Sequence, residues 1–150
     1  MPKEGELVTI LLVEDNLDDI TITKKALKEA KILNKLYVVR DGQEALDYLR
    51  HQGSYQDPAT NPKPGLILLD INLPKLNGVE VLAQVKKDPE FKKIPIVMLT
   101  VSKRDEDIAK SYENGCNSFI QKPVEFERFV TIVKEIGLYW GLLNISPTEH

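Results

Sequence analysis

The chain has 150 residues, 42% hydrophobic and 29% charged, with 20 basic against 23 acidic side chains and a net charge of −3. That balance provides no field to hold nucleic acid or an anionic membrane, and no apolar run approaches the ~18 residues of a membrane span. One cysteine, Cys116, and two histidines, His51 and His150, exclude an internal disulfide and a His/Cys metal centre and fit a reducing, cytoplasmic setting.

The length favours one domain over 1–150, with a core at about 7–140 and short tails at both ends. A chain of this size buries roughly 68–70% of its unfolded surface, enough for a core without staples. Met1-Pro2-Lys3-Glu4 opens nothing resembling a signal peptide.

Val8 to Val13 reads as a buried strand, followed at once by Glu14-Asp15-Asn16. A helix over 17–30 places Leu17, Ile20, Leu27 and Ala30 on one face, with Asp15 or Asn16 as its cap. Leu36 to Val39 is a short second strand. Asp41-Gly42-Gln43-Glu44 then resembles a capping box that opens a helix to about Arg50, with Ala45, Leu46 and Leu49 inward. A long loop with Pro58, Pro62 and Pro64 spans His51 to Gly65, and a loop of that length is either mobile or used for contact.

The third strand, Leu66-Ile67-Leu68-Leu69, ends abruptly in Asp70. A continuous apolar run of this kind fits a strand covered on both faces. A third helix runs from Gly78 to about Lys87, with Val79, Leu82 and Ala83 on one face. The fourth strand is Ile94 to Thr100, with Pro95 near its start. A fourth helix, capped within 102–105, stops at Asn114-Gly115, and Ser118 to Gln121 is a brief fifth strand ending at Lys122-Pro123. A last helix runs from about Val124 to about Asn144. Five alternating strand–helix units imply a parallel α/β sheet with helices on both faces.

Four of those strands end in polar residues of useful chemistry: Glu14 and Asp15, Asp70, Thr100, and Lys122. Each has a blander explanation alone, as a helix cap, a local hydrogen bond or a solvated lysine. A parallel sheet, however, brings all four ends to one edge, where ligands sit in open α/β folds. Carboxylates gathered there repel unless a cation stands between them. Oxygen ligands beside open space suit Mg²⁺, which keeps several waters and accepts a phosphate as co-ligand. Lys122 and the Thr100 hydroxyl supply a cation and a donor for an anion beside Asp70. The set describes phosphoryl transfer with Asp70 as nucleophile.

These motifs resemble a response-regulator receiver domain: LLVEDN with Glu14 and Asp15, LLDINLPKLNG with Asp70 and Gly78, MLT with Thr100, and FIQKP with Phe119, Lys122 and Pro123. The resemblance spans about 7–139. It implies a flavodoxin-like, doubly wound five-stranded parallel sheet of order 2-1-3-4-5. It implies Mg²⁺ held by Asp15, Asp70 and the backbone carbonyl of Asn72, with Glu14 assisting. It also implies a switch in which Thr100 swings toward the phosphoryl group, Phe119 turns inward, and the face of the fourth helix, fifth strand and last helix changes.

The implied partners are a sensor histidine kinase or phosphotransfer protein upstream and an unidentified protein downstream, with neither nucleic acid nor membrane. No output domain is expected, and the chain is a self-limiting switch rather than a turnover enzyme. Val101 departs from the family's usual Ala or Gly and narrows access to Asp70; the 51–65 loop is also unusual. That loop and the LPK segment resemble the single-domain regulators of bacterial phytochromes. Surplus apolar residues on the last helix, Ile132, Tyr139, Trp140, Leu142 and Leu143, suggest a homodimer through that region.

Two other phosphate-handling classes fit less well. A haloacid-dehalogenase-type hydrolase needs a second Asp two positions after the nucleophile, where this chain has Asn72. A flavodoxin-type flavin carrier wants a Ser/Thr/Gly-rich loop after strand one, where Glu14-Asp15 repels phosphate. A receiver-like binding module that is never phosphorylated is the remaining alternative.

Overall fold

The predicted strands form in the computed structural model, which describes residues 9–29, 34–100, 113, 115–116, 118–121 and 131. The elements are β1 (Thr9–Val13), α1 (Leu17–Glu29), β2 (Leu36–Val39), α2 (Gly42–Arg50), a 3₁₀ turn (Gly53–Tyr55), β3 (Pro64–Asp70), α3 (Gly78–Lys87), β4 (Ile96–Thr100) and β5 (Ser118–Gln121). The strands make one sheet of order β2-β1-β3-β4-β5, every neighbouring pair parallel. The expected flavodoxin-like topology is therefore present.

The sheet is covered on both faces, and the period-2 alternation of side chains decides which residue goes where. Leu11, Val13, Ile67, Leu69, Ile96 and Met98 pack with Leu46, Leu49, Val81, Leu82 and Val85 of α2 and α3. Ile10, Leu12, Leu66, Leu68, Val97 and Leu99 pack with Ile20, Ala26 and Leu27 of α1. Past Thr9 at the start of β1, the inner strands β1, β3 and β4 carry no polar side chain until their C-terminal ends, because neither face meets water.

Helix starts follow their caps. Asn16 caps α1: its side-chain oxygen accepts the Asp19 N–H at 3.0 Å. Asp41 caps α2 by accepting the Glu44 N–H at 2.7 Å. The reciprocal bond expected of a capping box goes elsewhere, since Glu44 Oε2 accepts from the Arg40 N–H at 3.1 Å rather than from Asp41. A complete capping box forms at α3 between Asn77 and Glu80.

Several details correct the sequence reading. Leu17, placed on the inner face of α1, is 65% exposed, and the buried residues are Ile20, Thr23, Ala26 and Leu27. Thr23 fits there because its hydroxyl donates to the Asp19 carbonyl at 2.8 Å. In α3 the buried stripe is Val81, Leu82 and Val85, while Val79 and Ala83 are only half-buried. The third strand starts two residues earlier than expected, at Pro64, and the fourth two residues later, at Ile96. The expectations for Ala30, Val101, Lys122, the fourth helix and the last helix with its dimer contact lie outside the described residues.

The long 51–63 connection is tied down. His51 closes α2 in the left-handed conformation, φ 54°, and its Nε2 lies 2.8 Å from the Asn61 carbonyl. The Tyr48 hydroxyl donates to the Pro62 carbonyl at 2.8 Å. Lys63 Nζ donates to the Glu90 carbonyl at 2.9 Å and sits over the Phe91 ring.

Candidate functional site

The C-terminal ends of β1 and β3 meet at the middle of the sheet. Val13 pairs with Leu69, so Glu14 and Asp70 are the next residues on adjacent strands, about 4.8 Å apart in the pairing direction. The last ladder bonds lie at this level: the Glu14 N–H donates to the Val39 carbonyl at 3.0 Å and the Ile71 N–H to the Leu99 carbonyl at 2.9 Å. Glu14 is fully buried and Asp70 is 3% exposed. Each carboxylate accepts the backbone N–H two residues on, Asn16 to Glu14 Oε2 at 3.2 Å and Asn72 to Asp70 Oδ1 at 3.2 Å. The chain thus turns away from the sheet at the same level on both strands, and this local bond is the side chain's substitute for the ended ladder.

Asp15, the next residue after buried Glu14, has a half-exposed side chain. The Arg40 guanidinium from the end of β2 reaches it: Nη2 donates to the Asp15 carbonyl at 2.8 Å and lies 3.9 Å from Asp15 Oδ1. Arg40 occupies the end of the one strand that contributed nothing to the polar strand-end set read from the sequence. Its place, directly after the apolar run LYVV, was the signal that would have found it.

The β3–α3 turn is shaped by close backbone approaches. The Gly78 N–H donates to the Ile71 carbonyl at 2.8 Å, and a Cβ on Gly78 would lie 2.2 Å from the Asp70 carbonyl oxygen. Only glycine lets α3 begin this near the end of β3. Pro74 precedes Lys75 at φ 66°, a left-handed residue of the kind a type II turn requires. A Cβ on Gly42 would lie 2.1 Å from the Leu76 carbonyl oxygen, so the β2–α2 and β3–α3 turns touch. Lys75 Nζ and Asp41 Oδ2, 3.4 Å apart, add an ion pair across that contact.

The structure therefore brings Glu14, Asp15, Asp70 and Asn72 to one edge. Thr100 ends β4 at the same edge, one residue beyond Leu99, the partner of Asp70. Gln121 pairs with Thr100 and Phe119 with Met98. Lys122 lies outside the described residues.

Among the described residues, no three Asp, Glu, His or Cys side chains stand together as a ready-made metal cage. The donors that are present still suit a small hard cation. Two buried carboxylates at neighbouring strand ends and a half-exposed third offer oxygen ligands. Mg²⁺ is commonly held by one or two carboxylates plus waters and a phosphate, without an all-protein cage.

Comparison with known proteins places this architecture. Residues 10–134 match the family described as the response regulator receiver domain. Response regulator Rcp1 of Synechocystis is 40% identical over 131 residues, 87% of each chain. The crystal structure of its Mn²⁺-bound form covers 93% of this chain and 97% of that one with a TM-score of 0.76. The phosphorylated cyanobacterial phytochrome response regulator RcpA is 43% identical, covering 90% and 94%, also at 0.76. The bacteriophytochrome response regulator AtBRR is 47% identical, covering 93% and 99%, at 0.78. The expected resemblance to phytochrome-associated regulators is thus borne out, and the chain belongs to the response-regulator receiver-domain family of two-component signalling.

Proposed function

We propose that this chain is a phosphoacceptor switch in which Asp70 receives the phosphoryl group. The carrying observation is the position of that carboxylate: buried at the C-terminal end of the central strand, next in register to buried Glu14. Asp15, Asp70 and the Asn72 carbonyl are the residues that would hold Mg²⁺, with Glu14 supporting. The ion, when bound, neutralises charge on the phosphoryl oxygens. An Asp70 oxygen attacks the phosphorus of a phosphohistidine, the bond from phosphorus to the imidazole nitrogen breaks, and an aspartyl phosphate results. The Asn72 N–H, 3.2 Å from Asp70 Oδ1, orients the carboxylate for that attack. Lys122 and Thr100 are assigned to the phosphoryl oxygens. Water later attacks the phosphorus and restores the carboxylate, which makes the state self-limiting.

The upstream donor is a sensor histidine kinase, of the phytochrome class by likeness to RcpA and AtBRR, or a phosphotransfer protein. Output runs through protein contacts on the face of the fourth helix, β5 and the last helix, with Thr100 and Phe119 as the moving residues. The whole of 1–150 is assigned to one receiver unit. Among the described residues no helix is long and apolar enough to cross a membrane.

The test is labelling by a small phosphodonor with Mg²⁺ present, read by intact mass. Wild type gains one phosphoryl group and Asp70→Asn gains none. Labelling of that variant at the wild-type rate would refute the assignment.

A further inference from the structure

Asp15 is asked to serve a divalent cation while already in contact with a cation of the protein's own. The contact has two parts with different consequences. The 2.8 Å hydrogen bond from Arg40 Nη2 goes to the Asp15 main-chain carbonyl, and the carboxylate oxygen is a further 3.9 Å contact. The guanidinium is therefore anchored on the backbone and stays in place when the Asp15 carboxylate turns to another ligand. Arg40 itself is fixed independently of its side chain. Its N–H donates to Glu44 Oε2 at 3.1 Å, and the Tyr55 hydroxyl donates to the other oxygen of Glu44.

We infer that Arg40 sets the divalent-cation affinity of the site, holding it below what the carboxylates alone would give; this rests on the reading of Asp15 as a metal ligand. A guanidinium is permanently charged, so it opposes a second cation on the same carboxylate at every physiological pH. It also orders the Asp15 carbonyl, a neutral effect that a hydrogen-bond donor without charge would reproduce. Both partners are half exposed, with side-chain exposures of 48% and 54%. The pair accordingly adds little to stability, and its effect falls on the ligand. Wild type accordingly binds a divalent cation, but more weakly than the same carboxylates would without the guanidinium, and the metal dependence of labelling is tied to Arg40.

The experiment is a titration of the full chain with Mn²⁺ alone, free ion read by electron paramagnetic resonance, for wild type, Arg40→Gln, Arg40→Lys and Asp15→Asn. Arg40→Gln loses the charge and leaves an uncharged N–H donor on a side chain two atoms shorter. It is expected to bind Mn²⁺ about three- to tenfold more tightly than wild type at low ionic strength, with the gap closing as salt rises through about 0.5 M. Arg40→Lys is expected within about twofold of wild type, because the charge is retained. Equal or weaker binding by Arg40→Gln, or a gap insensitive to salt, overturns the role of Arg40. Failure of the underlying reading looks different: wild type then binds no Mn²⁺, or Asp15→Asn binds as wild type does.

Discussion

Gly78 stands so close to Asp70 that a methyl group on its Cα would lie 2.2 Å from the Asp70 carbonyl oxygen and 2.7 Å from the Ile71 Cα. Both obstacles are backbone, so no side chain can swing away. Gly78→Ala must push α3 off the end of β3. The expected loss is about 3 kcal/mol of unfolding free energy, at the upper end for overpacking. Urea denaturation measures it. The proposed phosphoacceptor shares the displaced segment, so labelling of the folded fraction should slow as well.

Asp41 holds two structures at once. It caps α2 through the Glu44 N–H at 2.7 Å and pairs with Lys75 at 3.4 Å. Asp41→Ala removes both and should cost about 1–2 kcal/mol, most of it from the cap. Asp41→Asn keeps the cap and loses the pair, which spans a partly exposed site and is worth under about 1 kcal/mol. Chemical denaturation of the two variants separates the terms.

Tyr48 anchors the 51–63 connection through its bond to the Pro62 carbonyl at 2.8 Å and its tilted ring contacts with Tyr37 and Tyr55. Tyr48→Phe keeps the rings and removes the bond, at an expected cost of about 1 kcal/mol. Amide exchange should rise at 57–62 while the core strands stay protected. A uniform rise over the whole chain would mean that the hydroxyl supports the fold and has no special hold on the loop.

Alkaline stability follows from buried acids. Burial pushes the Tyr48 and Tyr55 phenols above their usual range, helped by the neighbouring tyrosines at Tyr48 and by the Glu44 hydrogen bond at Tyr55. Burial pushes the Cys116 thiol up to about 11, with nearby Lys86 opposing. For each of these the unfolded chain ionises first, so stability is full below the unfolded values and falls as pH rises through the folded ones. Burial lowers Lys86 instead, and that group gains stability as pH rises. Among the described residues three groups stand against one, which predicts a Tm that declines above about pH 9, and Tyr55→Phe should flatten the decline.

The inner strands were legible because ILLV of β1, LILL of β3 and IVML of β4 are unbroken apolar runs, which fit strands covered on both faces. The acids were legible because a carboxylate directly after such a run, as at Glu14 and Asp70, has nowhere to be except the sheet edge. Helix faces were read less well. Leu17 fits the helical spacing of α1, yet it is the first residue of the helix and is 65% exposed. Spacing reports the angle around a helix, and burial also depends on position along it.

What the order of residues determined by itself was the five-strand series, its parallel sense and the convergence of acids on one edge, since those follow from chain connectivity and the hand of the crossover. Only the tertiary structure decided that Arg40 reaches Asp15, that Lys75 meets Asp41 and that Gly78 abuts Asp70. Those contacts join separate turns, and their distances depend on how whole helices seat against the sheet, which local patterns do not encode.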